Sequence, residues 1–151
     1  MERFRVIEAG EGIEGAILKK ISDRGGVRAM CVSDSHPALL VISPKAVCRK
    51  LAIPDACRTV LLPGHVGSVL GELRAASAVS YGTSFRDSLT LSSRKGERLL
   101  VALQRELVTV DGHVVERQEF PVRVPLGEPA LPALAVTGAL LLLGVPPEEL
   151  N

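Results

Sequence analysis

"RFRVIEAGEGIEGAILKKISDRGGVRAMCV", residues 3–32, is the stretch on which the fold turns. Residues 4–8 have the apolar alternation of a strand, and the glycine-rich turn after them interrupts it. Ile13, Ile17, Leu18 and Ile21 then recur at the three- and four-residue spacing of an amphipathic helix. "SDRGG", residues 22–26, stops that helix, and residues 27–32 predict a second strand. A strand, a helix and a strand in that order make a βαβ unit, whose strands lie parallel through a right-handed crossover.

Further along, "ALLVI", residues 38–42, predicts a third strand. Ser43 and Pro44 then stand at the cap and first-turn positions of a helix over "SPKAVCRKL". "CRTVLLPG" supplies another buried strand ending at Pro63 and Gly64, and "HVGSVLGELRAAS", residues 65–77, predicts a helix with Val66, Val69, Leu70 and Leu73 on one face. After Ser77 the pattern changes. Leu89 and Leu91 alternate with Ser88, Thr90 and Ser92, and "RLLVALQRELVTV" runs into Asp111-Gly112, the strongest hairpin signal in the chain. "HVVERQEFPVRV" returns as the partner strand. The second half is therefore an antiparallel meander.

Gly10, Gly12 and Gly15 stand in the spacing G-x-G-x-x-G between the first strand and the first helix, and Asp34 follows the predicted second strand. This arrangement resembles the Rossmann dinucleotide fingerprint. The resemblance implies that Gly10 makes the tight turn, Gly12 admits pyrophosphate to the backbone, Gly15 packs helix on sheet and Asp34 accepts ribose hydroxyls. Glu8 and Glu11 stand against that use, because they put carboxylates where a pyrophosphate must lie. The alternative is a tight connection whose acids cap the free amides of the helix. The fold expected is one α/β domain over residues 1–151: a small two- or three-layer Rossmann-like parallel sheet, extended by an antiparallel β-meander and closed by a C-terminal apolar helix.

Composition narrows the function classes. The 151 residues are 46% hydrophobic and 3% aromatic with no Trp, so Leu, Val, Ile and Ala must build the core. A formal charge of +1 offers no field for a polyanion, and one Tyr with three Phe makes no stacking platform, which argues against nucleic acid. Cys31, Cys48 and Cys57 lack the close pairing of a zinc site and read as buried thiols of a reducing, cytoplasmic compartment. "MERFRVIEAG" does not read as a secretory leader. "PALPALAVTGALLLLGVPP", residues 129–147, carries no charge. A helix over 130–145 would rise about 24 Å, short of the roughly 30 Å hydrocarbon core. Its leucines predict burial in the core or in a homo-oligomer interface, with membrane contact as the rival reading.

"AVSYGTSFRDSLTLSSRKGE", residues 78–97, concentrates hydroxyls. Those at Ser88, Thr90 and Ser92 fit the polar face of a sheet. Gly82, Ser84, Arg86 and Asp87 fit a binding loop instead, where a guanidinium fork holds an anion and a carboxylate orients it. His65, after a buried strand, is the histidine best placed for the strand ends where α/β proteins bind ligands; His36 and His113 read as surface residues. No G-x-S-x-G elbow is present, and no cofactor is assigned. The sequence thus points to a non-enzymatic protein that binds a small anionic ligand or nucleotide, or another protein. Two rivals stand beside it: a small nucleotide-dependent or hydrolytic enzyme, and a membrane-associated scaffold using the apolar tail.

Overall fold

The computed structural model describes residues 4–23, 37–46, 56–65 and 74–150. Strand β1 (Phe4–Ile7) leads into helix α1 (Ile13–Asp23). Strands β2 (Leu39–Ile42), β3 (Ala56–Pro63) and β4 (Arg74–Gly82) follow, then β5 (Leu89–Lys95) and β6 (Arg98–Leu103). A short ribbon of β7 (Leu107–Val108) and β8 (Val114–Val115) precedes β9 (Gln118–Arg123) and helix α2 (Ala130–Leu142). The result is a mixed α/β architecture with a seven-stranded, mostly parallel sheet in the order β1-β2-β3-β4-β5-β6-β9.

Strands β1 to β4 are parallel neighbours. The described partner of β1 is β2, with Phe4 opposite Leu39 and Ile7 opposite Ile42. The strand expected at 27–32 lies outside the described residues, as does the continuation of the helix begun at Ser43. The helix expected over 65–77 is corrected at its end, because residues 74–77 belong to β4. Alanine favours a helix locally, yet "RAASAVSYG" is drawn into the sheet by pairing with β3 along most of its length, and Val79 and Tyr81 alternate into the core.

Strand β5 is the seam between the two halves. It runs parallel to β4 over only Tyr81–Leu89 and Gly82–Thr90, and antiparallel to β6. A parallel connection ordinarily takes a dozen or more residues. Residues 83–88 suffice here because β5 starts beside the end of β4, so the chain makes one small circle instead of travelling back along the strand. The meander follows, β6 pairing antiparallel with β9. The hairpin signal at Asp111-Gly112 closes the antiparallel pair β7–β8, with Gly112 at φ 88° as such a turn requires.

Helices α1 and α2 cover one face of the sheet. Ile13 and Ile17 of α1 are buried with Leu39, Val41, Leu61, Tyr81 and Leu89, whereas Leu18, expected on the apolar face, is 46% exposed. Helix α2 crosses β2 to β5 and packs on α1. Gly138 permits this crossing, because a Cβ there would stand 2.9 Å from Leu61 Cδ2. Leu134, Leu140, Leu141 and Leu142 are buried inside the chain's own core, each contributing about 1.5–3 kcal/mol. The leucines that motivated an oligomer are thereby accommodated without a second subunit. Helix α2 ends three residues before the expected Val145, because Gly144 takes φ 100°, with Val145 N–H donating to Leu140 O (2.9 Å) and Gly144 N–H to Leu141 O (3.1 Å). This is a Schellman cap. Among the described residues no helix is long and apolar enough to cross a membrane.

Candidate functional site

Because β1 to β4 point the same way, their carboxyl ends meet at one edge of the sheet. Open α/β sheets bind their ligands outside such an edge. Here it gathers Glu8 and Glu11 after β1, Ser43 after β2, Gly64 and His65 after β3, and Tyr81 through Asp87 at the end of β4.

The glycine turn shapes the first part. Gly10 and Gly12 take φ of 77° and 75°, backbone that side chains rarely adopt, and so bend the chain from β1 into α1. Gly15 does not press the helix onto the sheet; it is exposed, with open space where a Cβ would stand. The Glu8 carboxylate accepts hydrogen bonds from Ile13 N–H and Glu14 N–H, both 2.9 Å. These are the free amides of the first helical turn, so an incoming phosphate would have to displace a carboxylate already suited to the helix dipole. Asp34 lies outside the described residues.

Glu11 reaches the sheet edge. Its Oε1 accepts from Ser43 Oγ and from Ala9 N–H (3.3 Å), while Ser43 Oγ in turn accepts Ala46 N–H (3.0 Å). Its Oε2 is shielded from solvent and receives no hydrogen bond from the described residues. A carboxylate oxygen in that position lacks a donor and carries a desolvation cost until one is supplied. Tyr81, fully buried, donates its hydroxyl to Ile42 O at 2.5 Å. Burial, and then the nearby Glu11 carboxylate, push the phenol well above its usual range, so it stays a neutral donor.

Asp87 organises the other part. It is buried, and its carboxylate fills the space beside Gly64 and Gly82, where any Cβ would collide with it. Asp87 Oδ2 accepts Ser84 N–H (3.2 Å), and Asp87 N–H donates to Ser84 O (3.0 Å), closing a turn. Asp87 and Ser84 thus meet the backbone at the end of β3 through Gly64, while the His65 side chain is exposed. Arg86 does not turn inward. It is exposed, its N–H is held by Ser84 Oγ (3.2 Å), and its carbonyl accepts from Arg105 Nη2 (2.8 Å).

A groove of about 560 Å³ adjoins this edge on the helical face. Glu11 and Gly12 border it, Ala16, Val122, Ala133, Val136 and Leu140 give it an apolar wall, and Lys19, Lys20 and Arg123 supply cations. This volume is within the range of small-molecule pockets. The sequence marks Glu11 as an obstacle to phosphate or a cap of helix amides, and Ser43 as a helix cap, with no local sign of their pairing. The signal available was positional: both residues follow the ends of adjacent strands.

Cys57 is buried, and burial pushes its thiol up to about 11, so it is no ready nucleophile. Among the described residues no three His, Cys, Asp or Glu side chains are grouped to hold a metal ion. No protein-family model matches the chain, and no curated protein is significantly similar to it.

Proposed function

We propose that the chain is a non-enzymatic binding protein for a small amphipathic anion, held in the groove between α1 and α2. The ligand has an apolar body, a hydroxyl or amine that donates to Glu11 Oε2 once the carboxylate turns from its shielded position toward the groove, and an acidic end directed to Lys19 and Lys20. The observation that carries this reading is that Glu11 borders an apolar groove while its Oε2, shielded from solvent, meets no hydrogen-bond donor among the described residues. The spacing supports the rest: Lys19 and Lys20 follow Gly12 by two helical turns, about 10–12 Å along the axis at 1.5 Å per residue. A medium-chain hydroxy or amino acid spans that length. Nucleotide binding at the glycine turn is less well supported, because Glu8 occupies the helix N-terminus.

The test uses 8-hydroxyoctanoate, with octanoate and octanol as controls, in calorimetric titrations. The reading requires the bifunctional probe to bind more tightly than either control. Equal binding of all three, or of none, contradicts it.

A further inference from the structure

The face of the sheet opposite the helices carries a second, different recess. It holds about 350 Å³ above the antiparallel half, over Thr90 and Ala102. Phe85 stands at its rim, 79% exposed. An aromatic ring this exposed on a mobile loop would need no explanation. This one is displayed by a turn held at several points: Asp87 N–H to Ser84 O (3.0 Å), Ser84 N–H to Asp87 Oδ2 (3.2 Å), Arg86 N–H to Ser84 Oγ (3.2 Å) and Arg105 Nη2 to Arg86 O (2.8 Å). The backbone that carries the ring is therefore held in place before anything meets it, and binding loses little loop entropy.

What surrounds the ring names the ligand's chemistry. Thr83, Thr90, Ser92, Gln104 and Gln118 offer neutral donors and acceptors, while Arg117 and Glu119 balance each other in charge. Gln104 Nε2 donates to Thr90 Oγ1 at 3.1 Å, which orients the amide. A charged ligand finds no excess of opposite charge here. A ring with polarised C–H bonds on one face and hydroxyls around its edge meets both features, because the aromatic face is negative and the walls hydrogen-bond. We infer that this recess is a carbohydrate-binding site, taking one neutral hexose unit stacked on Phe85. The inference does not rest on the proposed α1–α2 ligand, since it uses the other face of the sheet and none of the same side chains.

The experiment is a titration of the isotopically labelled protein with maltotriose, cellotriose and chitotriose at millimolar concentration, followed by amide and side-chain NMR shifts. The result expected is saturable shifts at Thr83, Phe85, Thr90, Gln104 and Arg117 with at least one trisaccharide, and a loss of affinity of about tenfold or more in Phe85→Ala. Phe85→Trp, which keeps an aromatic face, should retain binding. Because the ring is exposed, the thermal midpoint of Phe85→Ala should match that of the unsubstituted protein, which separates loss of the site from loss of the fold. The inference is overturned if no trisaccharide shifts these residues, if Phe85→Ala binds as well as the parent, or if AMP shifts the same residues more strongly than every sugar does.

Discussion

Replacing Asp87 with alanine tests whether the circle between β4 and β5 depends on one carboxylate. The substitution removes the acceptor of Ser84 N–H and empties the space between Gly64 and Gly82. Hydrogen bonds to a charged acceptor contribute about 1.5–3 kcal/mol, and the small void adds roughly 1 kcal/mol. A loss of about 2–4 kcal/mol follows. For a chain of this length each kcal/mol lowers the thermal midpoint by about 2–4 °C, so Asp87→Ala should melt roughly 5–12 °C lower. Asp87→Asn retains an oxygen acceptor and nearly the same shape, and should recover at least half of that loss. Differential scanning calorimetry on the three proteins decides the matter. The reasoning is refuted if Asp87→Ala melts within about 1 °C of the parent, or if Asp87→Asn is as damaging as Asp87→Ala.

Gly82→Ala should destabilise the parent through collision with Asp87, and the penalty should shrink in an Asp87→Ala background, a coupling that a double-mutant cycle of urea midpoints reads directly. Gly138→Val should lower stability by about 1–3 kcal/mol by forcing α2 away from Leu61 and Leu89, and it should broaden methyl resonances of those leucines. Stability should fall at alkaline pH. The Cys57 thiol is pushed up from 9.0 to about 11 in the folded chain, so its contribution is complete below pH 9 and is lost as pH rises towards 11. Tyr81, raised from its ordinary value of 10.0, acts in the same direction and begins to do so above about pH 10. Urea midpoints should be level from pH 7 to 9 and fall beyond it, and Cys57→Ala should flatten the first part of that fall.

The elements most legible in the sequence were those whose pattern coincides with their pairing. Helix α1 announced itself through Ile13 and Ile17, β3 through its apolar run, and the β7–β8 turn through Asp111-Gly112. Strand β4 was not legible, because its alanines carry helix propensity and its place is fixed by β3, a contact no local window contains. The end of α2 was misplaced by a smaller margin. The apolar run continues to Val145, but the left-handed Gly144 ends the helix at Leu142. At the sheet edge, Asp87 and Ser84 were readable as one loop. The pairing of Glu11 with Ser43 joins residues 32 apart in the chain and is visible only once β1 and β2 lie side by side.

The most direct test of the binding proposal is the affinity of 8-hydroxyoctanoate for the parent and for Glu11→Gln. In the variant, Ser43 Oγ and Ala9 N–H select the amide oxygen for the Oε1 position, which turns an NH₂ donor into the place of the unpartnered Oε2. The ligand's hydroxyl then loses a charged acceptor and can only accept a weaker, neutral hydrogen bond from the amide. Calorimetry should show binding of the hydroxy acid weakened about tenfold or more, with octanoate binding unchanged, since octanoate makes no bond at that end. Equal affinity of the hydroxy acid for both proteins would contradict the account at its centre.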